Sequence, residues 1–320
     1  MKEAIDFAAY RPWWMAHMAP VADELERRGH PITQAEGQDR LTDQPGKVTV
    51  VASHSDMQRA LKAHRRVVLM EHGAGQSYSN RNVSHPGGTG RQKVALCLFP
   101  NDESADRHRK FYPKGPPAVV VGSPMVDFLT ERFGRVPPHP TLPIVAVSWH
   151  FASSVSLEAG SAWPQLGEPV LSALCDMRDL GWIELLGHAH PKMMSTVAPF
   201  YEARAIPLAH DFTEVCDRAD LFLIDNSSCL FEFAALDRPV IAMDSPQYRP
   251  NRHHGLRFWW AADVGLRIQR ADQVANAVIT ALRDPVEVAC QRHEIIERVY
   301  PHLGEAAKRA ADAIEAMMRS

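Results

Sequence analysis

Short apolar runs separated by stretches of helical spacing recur along the whole chain, and their order sets the architecture. Strands are expected at 4–9, Lys47–Ser53, Arg66–Met70, Lys93–Phe99 and Ala118–Val121 in the first half. In the second half they are expected at Ile144–Val147, Trp182–Leu186, Leu221–Ile224 and Pro239–Met243. Between them the 3.6-residue pattern predicts helices at Met15–Arg28, closed by Gly29, and at Asp56–Ala63, Glu103–Phe111, Val126–Phe133 and Glu168–Leu180. Further helices are expected just after Asp211, through Leu236, over Gln273–Leu282 and Val286–Val299, and over Leu303–Met318. Strand and helix alternating in both halves is the signature of α/β architecture with parallel sheets. The fold class is therefore α/β, two doubly wound Rossmann-like domains.

The boundary falls in Gly134–Pro143, GRVPPHPTLP, where four prolines in ten residues hold the chain extended. The expected domains are 1–137, 138–302, and a last helix, 303–320, crossing back to the first. At 320 residues the chain is long enough for two cores.

Asp211–Asp244 is the most informative stretch. An apolar strand ends in the turn Asp225-Asn226-Ser227-Ser228, a helix follows, and a second strand begins at Pro239. Backbone N–H groups and the positive end of the helix dipole meet at such a turn, which suits it to a phosphate. Ser, Asn and Asp are also ordinary helix caps, so capping is the competing reading. Two other strand ends carry chemistry. Glu71-His72-Gly73 follows the strand Arg66–Met70, and Gly187-His188-Ala189-His190-Pro191-Lys192 follows Trp182–Leu186. A glycine-flanked imidazole at a strand tip can take a proton near neutral pH. His188 and His190 are spaced as a metal pair would be, but no third ligand lies near them in sequence, so no metal is expected. After the first strand, Arg11-Pro12-Trp13-Trp14 offers a cation and two aromatics. They belong to a ligand-facing loop, or the tryptophans pack under the first helix.

Composition narrows the partners. Apolar residues make up 45% and charged residues 23%, as in globular domains, and the formal charge of −3 gives no general attraction to nucleic acid or anionic membranes. The 27 arginines outnumber 8 lysines, a bias that base composition alone can produce. Five scattered cysteines without CxxC spacing read as reduced thiols. The first ten residues lack a signal-peptide core, and no apolar run reaches membrane-span length. A cytoplasmic location, peripheral on the membrane at most, is the expectation. The segment SPQYRPNRHHGLRFWW after Asp244 interleaves cations with aromatics. It could stack a base, rest on a membrane surface or line an interdomain cleft.

Asp225-Asn226-Ser227-Ser228, Glu232 four positions on, and Arg238-Pro239-Val240-Ile241 together resemble the signature of the CDP-glycerol glycerophosphotransferase family, the teichoic-acid polymerases and primases. Glu71-His72-Gly73, Gly122-Ser123-Pro124 with Asp127, and His188 to Pro191 fall in the family's order, so the resemblance covers roughly 65–245. It implies the GT-B arrangement, two domains across a cleft. It makes His72 the base for the acceptor hydroxyl and aligns His190 with the family's His-Pro motif. Donor contacts would come from Asp225, Asn226, Ser227, Ser228, Glu232, Lys192 and Gly122, and acceptor-side contacts from Arg11, Trp13, Gly73 and His150. Glu232 would accept from the ribose hydroxyls. The chain departs from the family at Met125, where an Arg is usual, and at His150, where a Lys or Arg is usual. It also lacks a Lys soon after Gly73, for which Arg81 or Arg91 could substitute.

No cofactor is implied, since the nucleotide-activated donor, CDP-glycerol or a UDP-sugar, is itself the substrate. Without an Asp-x-Asp motif, leaving-group charge would fall to the Ser227-Ser228 turn, His190 and Lys192. The acceptor would be a polyol phosphate or saccharide, lipid-linked or free. The alternative of the same fold is a nucleotide-sugar glycosyltransferase or UDP-sugar 2-epimerase. A non-catalytic binding module is disfavoured, because it would not need polar residues on both faces of the cleft.

Overall fold

A computed structural model describes residues 2–37, 48–63, 65–74, 88–134, 141–151, 160–225, 227–244 and 262–320. The chain forms two compact units, one of residues 1–131 with 297–320 and the other of residues 132–296. The sequence predicts divisions at 137/138 and 302/303.

The first unit contains β1 (Ile5–Ala9), α1 (Pro12–Arg27), β2 (Ile32–Glu36), β3 (Val48–Val51), α2 (His54–Lys62), β4 (Arg66–Met70), β5 (Leu96–Phe99), α3 (Asp102–Phe111) and β6 (Ala118–Val120), and most of α4 (Pro124–Phe133). The second contains β7 (Ile144–Ser148), α5 (Trp163–Asp179), β8 (Glu184–Gly187), α6 (Met194–Glu202), α7 (Phe212–Arg218), β9 (Leu221–Ile224), α8 (Cys229–Ala234), β10 (Val240–Met243), β11 (Leu266–Ile268) and α9 (Val274–Leu282), and most of α10 (Val286–Val299). The last helix, α11 (Ala306–Arg319), belongs to the first unit.

Both sheets are parallel, with strand orders β2-β1-β3-β4-β5-β6 and β11-β10-β9-β7-β8. The strand order reverses between β1 and β3 in the first sheet and between β7 and β9 in the second. In open α/β sheets such a reversal leaves a crevice at the carboxyl ends of the strands, where ligands bind. The α/β expectation of doubly wound sheets is met.

Continuous burial along β1, β3, β5, β7, β9 and β10 explains why their sequences are unbroken apolar runs. β2 was not anticipated, because as an edge strand it buries only Ala35 of ITQAE. β11, an edge strand of three residues, and α6, with Pro199 inside it, were likewise unmarked in the sequence. α1 begins at Pro12, whose fixed φ suits the first helical turn, so Trp13 and Trp14 lie in the helix and not in a preceding loop.

α11 lays Ala310, Ala311, Ile314 and Met317 on the core that α1 covers with Met18, Val21 and Leu25. Arg28 reaches from the end of α1 to Asp312 at 2.6 Å and Glu315 at 3.2 Å, and His30 meets Glu315 at 2.9 Å. Gly122, with φ of +90°, sits where an added Cβ would lie 2.8 Å from the Pro301 carbonyl oxygen. Asp127 then accepts the backbone N–H groups of Gly304 and Ala306, both at 2.7 Å, at the start of α11. The Gly122-Ser123-Pro124 motif therefore receives the returning chain within the first unit. The face of Gly122 on which a Cβ would stand is filled by residues 301–306.

Candidate functional site

In the second unit three strands deliver polar groups to one sheet edge. β7 lies between β8 and β9, so the residues after it are flanked by the loops of both neighbours. After β8 comes His190, whose ring centroid lies 5.3 Å from that of His150 and 4.5 Å from that of Phe151, both following β7. Lys192 places its Nζ 4.7 Å over the Phe151 ring. The His190 Nδ1 accepts the Lys192 backbone N–H at 3.1 Å, so in the neutral ring Nε2 carries the proton and is a donor. That tautomer suits a phosphate oxygen.

On the other side of β7, the turn after β9 is held from beneath. Asp225 is fully buried, and its carboxylate accepts the His150 N–H at 2.6 Å, the Ser161 hydroxyl at 2.9 Å and the Ala162 N–H at 2.8 Å. The bond to His150 crosses the point where strand order reverses. Asp225 was expected to touch the donor. Its oxygens are instead occupied inside the fold, where they tie the β9 turn to the β7 loop and to the start of α5. Burial pushes its pKa up to about 6, against the lowering effect of those three bonds.

Ser227 and Ser228 are half-buried at the start of α8. The Ser227 hydroxyl accepts the Cys229 N–H at 3.3 Å, a long cap, whereas Ser228 makes no side-chain cap. Capping thus accounts for one hydroxyl of the pair. α8 has only six residues and ends at Ala234, short of Leu236, which weakens the dipole contribution that a longer helix would make. Asn226 lies outside the described residues.

Glu232 is 4% exposed, and burial raises its pKa to about 7, so it is not a solvated helix residue. His188 is a core histidine bonded through Nδ1 to the Ser148 hydroxyl at 2.7 Å, with a pKa lowered by burial to about 4. Arg238 of the Arg-Pro motif is buried and donates to the carbonyls of Cys216, Ala219 and Phe133. It joins the ends of α7 and α4. His150, grouped by sequence with the acceptor side, stands in this unit beside His190.

In the first unit His72 follows β4. Its Nδ1 lies 2.7 Å from the Ala52 carbonyl, which can only accept, so Nδ1 carries the proton and Nε2 the basic lone pair. Gly73 turns the chain with φ of +67°, and Asn101 anchors the loop by donating to the carbonyls of Ala74 and Val299. Glu71 and Arg91 form a buried ion pair, so Arg91 is already engaged and does not act as the missing exposed cation. Arg81 and the segment 245–261 lie outside the described residues.

From the first turn of α1, the half-exposed Trp13 and the Arg11 guanidinium face one another at 5.4 Å, and Arg11 also covers Tyr10 at 4.7 Å. Trp14 lies 6.5 Å from His72, and His17, one turn on, lies 5.6 Å from it. His17 was not singled out in the sequence. The spacing of 55 positions from His72 gave no signal, and only the packing of α1 on the sheet brings the two rings together.

Among the described residues no cluster of three or more potential metal ligands occurs, no helix is long and apolar enough to cross a membrane, and all five cysteines are free.

Comparison with solved structures gives the same fold over the full chain. The wall teichoic acid polymerase TagF matches with a TM-score of 0.68 at 14% identity, covering 99% of this chain and 89% of that one. MnaA of S. aureus with UDP matches at 0.64 and 15%, covering 100% and 97%. The UDP-GlcNAc 2-epimerase of Methanocaldococcus jannaschii, in complex with UDP-GlcNAc and UDP, matches at 0.61 and 12%, covering all of both chains. No curated protein matches the chain by sequence. Residues 181–316, which carry the His190, Ser227-Ser228 and Glu232 positions, match the family model of CDP-glycerol:poly(glycerophosphate) glycerophosphotransferase. Residues 181–316 thus carry the similarity to the glycerophosphotransferase family, and the whole chain shares its fold with the polymerase TagF.

Proposed function

We propose that the protein transfers a glycerol-phosphate or related polyol-phosphate group from a CDP-activated donor to an acceptor hydroxyl in the synthesis of a cell-surface polymer, on the cytoplasmic side. The family match over residues 181–316 supports the reaction class. The observation that carries the site is the β7–β8–β9 edge, where His190, Lys192 and the Ser227-Ser228 turn surround a loop clamped by Asp225.

In this reading the acceptor oxygen attacks the β-phosphorus of CDP-glycerol, the bond from that phosphorus to the bridging oxygen breaks, and CMP leaves. His72 Nε2 takes the acceptor's proton. The His190 Nε2–H, Lys192 and the turn hydroxyls hold the phosphate charge as it moves to the leaving group. Asp225 positions this edge, and Gly73, Arg11 and Trp13 form the acceptor side.

The second reading, a UDP-sugar 2-epimerase or glycosyltransferase, is favoured by neighbours whose structures hold UDP and UDP-GlcNAc. Incubation with CDP-glycerol and, separately, with UDP-GlcNAc decides between them. Acceptor-dependent CMP release is expected. UDP release or an epimerised sugar without CMP would favour the alternative.

A further inference from the structure

The first unit carries a second imidazole that the proposed mechanism does not use. His17 lies on α1 three residues beyond Trp14, so both share the face of the helix that looks on the β4 loop. Their rings stand 5.6 Å and 6.5 Å from His72, at 49° and 53° to it, while the Ala52 carbonyl fixes Nδ1 from below. Among the described residues, Trp14, His17 and the Ala52 carbonyl stand against the His72 ring, and of these His17 is the titratable one.

We propose that His17 is a positioning residue for His72, an uncharged wall on α1 that orients the ring and sets the electrostatic surroundings of its basic nitrogen. Two imidazolium ions at this spacing repel, so a proton on one ring disfavours a proton on the other. Burial, with His72 adding to it, lowers the pKa of His17 to about 3. The other charged or titratable groups on the surrounding elements are already committed. Glu71 is paired with Arg91, and Asp56 accepts from Ser53 and the Tyr10 N–H. His54 is held low by burial and by Arg91, and Arg11 lies over Tyr10 and Trp13.

The proposal rests on the base role of His72 for its catalytic meaning, but its test does not. In protein labelled at histidine, the His72 ring resonance, assigned with His72→Gln, is titrated by NMR in wild type, His17→Gln, His17→Lys and His17→Glu. A unit charge ~6 Å away shifts a neighbouring titration by roughly half to two pH units between watery and partly buried surroundings. The expected result is a downward shift of His72 in His17→Lys, an upward shift in His17→Glu and a near-wild-type midpoint in His17→Gln. A midpoint that stays put in all three, or moves the same way in all three, overturns the proposal. The acid limb of kcat/KM for CMP release should follow the same order. If the resonance shifts and the limb does not, the pairing stands and the base role of His72 falls.

Discussion

Two carboxylates lie under the β9 turn, and burial acts on both. Burial outweighs the three donors of Asp225 and raises its pKa from 3.8 to about 6, and it raises that of Glu232 from 4.5 to about 7. The folded chain then holds a proton on Glu232 where the unfolded chain has released it. Folded-state proton binding exceeds unfolded, so this group's contribution to stability falls as pH rises from about 4.5 to about 7. His188, lowered from 6.5 to about 4, has the opposite slope, because between those values the solvated ring of the unfolded chain binds a proton that the buried ring of the folded chain does not. Comparing wild type with Glu232→Gln isolates the glutamate. In urea melts the variant should gain on the order of 1–3 kcal/mol relative to wild type on going from pH 4 to pH 8. A constant difference across that range would contradict a buried, proton-holding Glu232.

The same residues explain what a sequence could and could not convey. That His72 and His190 stand at strand ends follows from the apolar runs before them. Whether a motif side chain points out or in does not, and so Asp225, read as a donor contact, has its carboxylate oxygens occupied inside the fold. His17 joined the site only through helix packing.

At the scale of elements, the turn before α4 and the start of α11 act as a clasp. Gly122→Ala introduces a strained left-handed backbone and a close approach to the Pro301 carbonyl, and should cost roughly 2–3 kcal/mol. Asp127→Ala removes the acceptor of two N–H groups and should cost about 1–2 kcal/mol. Both losses are read as urea midpoints, and because both substitutions release the same segment, their effects should sum to less than the separate costs. Full additivity would argue against a shared clasp.

Central strands were legible because they are buried on both faces, as in RVVLM and LFLI. β2 and β11 were not, since an edge strand needs little apolar sequence. The start of α1 was misread because proline before two tryptophans resembles a loop, although Pro12 fits a first helical turn.

For the whole molecule, the proposed function assigns different chemistry to each unit. A basic imidazole nitrogen stands in the first, and donors suited to phosphate stand in the second. The family match lies on residues 181–316, while the fold likeness extends over the entire chain. The central claim is this division of labour, and acceptor-dependent CMP release from CDP-glycerol, paired with CDP binding, tests it most directly. His72→Ala should lose at least about 100-fold in turnover with CDP affinity unchanged, whereas His190→Ala and Ser228→Ala should lose turnover and weaken CDP by about tenfold or more. Undiminished CMP release by His72→Ala, or CDP binding indifferent to His190 and Ser228, would contradict it.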